Sequence, residues 1–123
     1  MLLVGCDTVN FREYRIANAA ANTNDVATVK ALLASVARVT KLQDQTPISK
    51  VPKTIVFYTQ PIKFNPVEMG ARSAEGDLVV YVISGFGSRP VEFKKAYRLI
   101  ESELRKDFSS RLTIIMDPRR VEN

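Results

Sequence analysis

Phe93, Tyr97, Ile100, Leu104 and Phe108 recur at intervals of four, three, four and four, which brings all five onto one side of an α-helix. Val26, Val29, Leu32, Leu33, Val36 and Val39 keep the same period, while Lys30, Arg38 and Lys41 fall outside it. Each helix has one apolar stripe, so each must lie against another apolar surface, and the intervening stretches supply it. Asn10 to Ala17 alternates, with Tyr14 and Ile16 set against Glu13 and Arg15, as in a half-buried strand. Lys53 to Thr59 carries Ile55, Val56, Phe57 and Tyr58 in succession, a β-rich run apolar on both faces. Val67 to Ser84 reads as a β-hairpin turning at Glu75-Gly76, and Arg111 to Met116 as a last strand.

Boundary signals agree with these elements. Thr23, Asn24 or Asp25 can cap the first helix, which should end near Leu42. Gln43 to Pro52, interrupted by Pro47 and Pro52, reads as a surface loop, and Pro90 suits the first turn of the second helix. The order strand, helix, two or three strands, helix, strand predicts an α+β domain. In it two helices pack on one face of a mostly antiparallel sheet of four to five strands. The closest common architecture is the ferredoxin-like βαββαβ sandwich with an added strand. At 123 residues, 46% hydrophobic and 25% charged, the chain makes one domain able to bury a core without disulfides. No run of 18 apolar residues occurs, so no membrane-spanning helix is expected.

The chemistry available is restricted. Histidine is absent, which removes the commonest general base and the commonest zinc ligand, and one cysteine builds neither a Cys/His metal cluster nor a Cys-His nucleophile. Glu68, Glu75, Asp77 and Asp117 are expected at turns or strand ends, as solvated acids rather than catalytic ones. The expectation is a non-enzyme with no metal and no cofactor. Ser84 to Arg89 runs from a strand into a helix, so Gly85, Gly87, Ser88 and Arg89 form a candidate anion-binding loop. The loop lacks a P-loop lysine and the third glycine of a dinucleotide fingerprint. Its plainer reading is a turn made by the glycines, with Ser88 capping the helix. A net charge of +5 and strand tyrosines at positions 14, 58 and 81 admit a rival reading, a basic cytoplasmic RNA-binding domain that stacks bases near Tyr14 and Tyr81. The basic residues are dispersed, however, and no RNP1-type pattern surrounds Leu78 to Ile83, so nucleic acid is the weaker partner class.

Leu3-Val4-Gly5-Cys6 resembles the lipobox of bacterial lipoprotein precursors: an apolar residue, small residues, then the cysteine that is acylated. The resemblance covers four residues and says nothing of the folded domain. A secretory signal carries a charged n-region and about 7–15 apolar residues. Only five residues precede Cys6, so this reading expects a start further upstream. The alternative is an ordinary apolar N-terminal segment, with Cys6 as a small buried hydrophobe. Under the lipobox reading, residues 1–6 are a signal remnant and 7–10 a short tether. Residues 11–117 are then the domain and 118–123 a tail. The resemblance implies a lipid-anchored protein of the cell envelope facing the periplasm, with Asp7 after the cysteine favouring the inner membrane. The expected partner is another envelope protein, bound near the bilayer in an assembly or immunity-type role.

Overall fold

The computed structural model describes residues 10–49, 51–60, 67–84 and 91–116. It is an α+β structure: strand β1 (Asn10–Ile16), helix α1 (Thr23–Thr40), strands β2 (Gln43–Asp44), β3 (Thr54–Thr59), β4 (Val67–Ala74) and β5 (Asp77–Ser84), helix α2 (Val91–Phe108) and strand β6 (Leu112–Met116). The strands join in one sheet of order β2-β3-β4-β5-β1-β6, and every pairing is antiparallel.

Six strands replace the four to five expected, because the polar loop after α1 is more ordered than its prolines suggest. Gln43 and Asp44 pair with Thr59 and Tyr58 as a two-residue edge strand. Asp44 then accepts hydrogen bonds from the Thr46 amide at 2.9 Å and the Thr46 hydroxyl at 2.6 Å, and Pro47 sits inside the short 3-10 turn Thr46–Ile48. Side-chain capping of this kind replaces the backbone partners that a proline-broken segment lacks.

α1 is capped by Asn22, one residue before the expected candidates; its side-chain oxygen accepts the Asp25 amide at 3.0 Å. The helix stops at Thr40, where Lys41 takes a left-handed conformation (φ 62°) and the Leu42 amide reaches back to the Ala37 carbonyl at 2.9 Å. Val29, Leu33 and Val36 of the expected stripe are buried, whereas Val39 is 52% exposed. α2 buries Phe93, Ala96, Ile100, Leu104 and Phe108, with Tyr97 at the margin of the core. The β4-β5 hairpin turns at Glu75 and Gly76, both at positive φ (54° and 89°), the combination a two-residue turn requires.

The core lies between the helices and one sheet face: Tyr14 and Ile16 from β1, Leu78, Val80 and Val82 from β5, Val67, Met69 and Ala71 from β4, and Val56 and Tyr58 from β3. A register slip at Ile55 turns it and Val56 toward the same cluster. Strand alternation sends Phe11, Glu13, Arg15, Phe57, Glu68, Arg72, Val79, Tyr81, Ile83 and Ile115 to the far face, opposite the two helices, where the Thr46–Ile48 turn lies against β3.

Candidate functional site

Two surfaces concentrate chemistry. One lies on the far face of the sheet, where the register sets Phe57, Gly70, Tyr81, Glu13 and Ile115 in a row across β3, β4, β5, β1 and β6. Val79 and Tyr81 are buried, at 0% and 5% exposure, yet neither belongs to the main core. Val79 lies between Arg15 and Arg72, long side chains able to shield it with their alkyl stems. Tyr81 lies across Gly70: a Cβ at residue 70 would stand 2.6 Å from the Tyr81 hydroxyl and 2.6 Å from the Val56 carbonyl oxygen. Glycine is what allows this aromatic ring to fold flat over the neighbouring strand.

The Tyr81 hydroxyl is buried without a hydrogen-bond partner, and burial together with the nearby Glu68 charge pushes its pKa up to about 12. Glu68, expected to be a solvated strand-end acid, is half-buried within β4, and desolvation raises its pKa. It lines a shallow groove of about 340 Å³ with Ile48, Ser49, Val51, Phe57 and Thr59, in which Ile48 is 64% exposed.

The second surface is cationic and follows α2 along the β1 side, a groove of about 470 Å³ lined by Arg12, Tyr97, Arg98, Glu101, Ser102 and Arg105. The Arg12 guanidinium stacks 4.1 Å above the Tyr97 ring and stands 3.6 Å from Glu101. Arg105 reaches the other Glu101 oxygen at 3.1 Å. Beneath them the buried Tyr14 hydroxyl lies 3.2 Å from Glu101 and 3.3 Å from the Tyr97 carbonyl oxygen, donating to this pair of acceptors. Burial, then the Glu101 charge, holds the Tyr14 proton on well beyond the ordinary range. Glu101 is the hub. Its position one turn after Tyr97 is visible in the sequence, but its contact with β1 is not.

The residues singled out from the sequence are dispersed. Cys6 and the loop Gly85, Gly87, Ser88 and Arg89 lie outside the described residues, as does Asp117. Glu75 is exposed at the hairpin turn. Asp77 opens β5, where the Asn18 amide (2.9 Å) and Arg15 Nε (2.8 Å) bind its carboxylate and lower its pKa. The tyrosine platform is not formed: Tyr14 and Tyr58 point beneath the helices, and Tyr81 lies flat over Gly70, so none offers an open ring to a base. Strand parity places Tyr14 and Tyr81 on opposite faces.

Among the described residues no cluster of three metal-ligating side chains occurs, and no described helix is long and apolar enough to cross a membrane. No protein-family model, curated protein or solved structure matches the chain.

Proposed function

We propose that this chain is a non-enzymatic, membrane-anchored envelope lipoprotein module. It is held through acylated Cys6 and faces the periplasm, on the inner membrane if Asp7 acts as a retention signal. It binds another protein close to the bilayer, in an assembly or immunity-type role. The observation that carries the binding half is the far face of the sheet. Phe11, Phe57, Ile83 and Ile115 are only half-buried there, next to the groove containing Ile48 and Glu68, while both helices pack on the opposite face. The lipobox-like Leu3-Val4-Gly5-Cys6 supports the anchor.

Our fold reading for this module is a ferredoxin-like sandwich, with β6-β1-β5-β4 and the two helices as its body and β3 and β2 added at the β4 edge. The strand order supports it.

The test expresses the reading frame with its upstream DNA in a bacterium and measures intact mass and membrane fractionation, with Cys6→Ser as control. A product beginning at an acylated Cys6 in the membrane fraction is the expected result; a soluble, unacylated product sinks the anchor. A photo-crosslinking residue at position 11 or 83 should capture one discrete protein where the same residue at position 30 on α1 captures none. Identical patterns from all three positions remove the far face as the docking surface.

A further inference from the structure

The cationic groove on α2 and the exposed side of that helix belong to one surface. Arg12, Arg98 and Arg105 bring three guanidinium groups to the groove against the single carboxylate of Glu101. Arg12 is pre-oriented by the Tyr97 ring and Glu101 and is only 17% exposed, whereas Arg105 is 62% exposed and held by Glu101 at 3.1 Å in a surface pair that solvent weakens. Arg98 is exposed and pairs with no acid among the described residues. A planar fork held in place, with the exposed Arg98 able to swing in and the Arg105 guanidinium and Ser102 hydroxyl beside it, suits the oxygens of a phosphate. The excess of two positive charges matches an anion.

Two further observations favour a bilayer over a dissolved anion. Val91 (70% exposed) and Leu99 (38%) lie eight residues apart with Lys95 midway, on one row of α2 beside the groove. Exposed apolar residues flanked by basic ones are the composition of a helix face that rests in the headgroup layer. Cys6 stands six residues before Arg12, so the connecting chain spans at most about 22 Å, and an acyl chain on Cys6 keeps the groove close to the lipid surface.

We propose that this groove takes the phosphate of an anionic phospholipid headgroup, with Val91 and Leu99 dipping into the interface. The choice of lipid over a free phosphate rests on the anchor reading above. Docked this way, the helix layer faces the bilayer and the sheet's far face turns away from it, open to a protein partner.

The test uses the full chain carrying Cys6→Ser, so that no acyl anchor contributes. Binding is measured by co-sedimentation with vesicles of phosphatidylglycerol and phosphatidylcholine, and with phosphatidylcholine alone. The pair Arg98→Gln/Arg105→Gln is compared with Lys30→Gln/Arg38→Gln, which removes the same charge from α1, packed over β3 and β4. At about 1 kcal/mol for each basic residue at an anionic surface, the groove pair should weaken binding about 30-fold and the α1 pair less than about 3-fold. Thermal melts confirm that each variant is folded.

Equal losses from the two pairs, or no preference for the anionic vesicles, overturn the proposal. Release by inorganic phosphate equal in concentration to lipid phosphate, where chloride of matched ionic strength has no effect, assigns the groove to a free anion and overturns the lipid source. The anchor stands or falls separately, on the acyl mass at Cys6.

Discussion

At the scale of single residues, hydrogen-bond partnering decides what a buried polar group costs. Two tyrosine hydroxyls, both buried, are treated oppositely: that of Tyr14 meets Glu101 and the Tyr97 carbonyl, while that of Tyr81 has no partner. An unpaired buried polar group costs free energy that a paired one does not. Tyr81→Phe should therefore raise stability by up to about 1 kcal/mol, and Tyr14→Phe should lower it by about 1–2 kcal/mol, both read from urea unfolding. Glu68 gives the matching pH dependence. Its folded pKa lies above the unfolded value, so the folded state binds the proton more tightly, and stability contributed by that proton is lost as pH rises through the folded pKa. Asp77, with a lowered pKa, acts the other way and loses its contribution as pH falls. Glu68→Gln should stabilise by about 0.5 kcal/mol at pH 7, a figure reduced for its partial exposure, and the gain should vanish below the unfolded carboxylate range near pH 4. A gain that persists undiminished at pH 3 would mean that Glu68 is not desolvated.

At the scale of elements, helix ends and turns are local matters, and their small departures from expectation have local causes. Asn22 caps α1 because its short side chain reaches the amide three residues on, leaving Asp25 to pair with Arg111 at 3.0 Å, without hydrogen-bond alignment. Asn22→Ala should cost about 1 kcal/mol of stability and lower Tm accordingly. The β4-β5 turn holds a glutamate at positive φ, a conformation asparagine tolerates better, and the Arg15–Glu75 contact at 3.8 Å is too exposed to compensate. Glu75→Asn, creating an Asn-Gly turn, should stabilise by about 0.5–1 kcal/mol; an unchanged Tm would show that this turn is not under strain. The edge strand β2 escaped sequence reading for a related reason. Two residues have no periodicity to detect, and only their pairing with Tyr58 and Thr59 makes them a strand.

For the whole molecule, one core ties both helices to a single sheet face, so the protein should unfold as a unit. Leu104, fully buried in α2, meets that core, and Leu104→Ala should cost about 2–5 kcal/mol. Far-UV circular dichroism and tyrosine fluorescence should still give coincident urea transitions. Separate transitions would mean that α2 packs as an independent layer.

The amphipathic periods, the strand alternation and the Glu75-Gly76 turn were legible in the chain itself, because each depends on residues a few positions apart. So was the absence of histidine chemistry. Tertiary structure alone decided which strands neighbour each other and which sheet face the two helices cover. It also decided that Tyr14 meets Glu101 across 87 positions of chain, that Arg12 reaches the Tyr97 ring, and that Gly70 exists to admit Tyr81. Those contacts join residues with no local signal in common, and what selects them is the packing of two helices on one side of an antiparallel sheet.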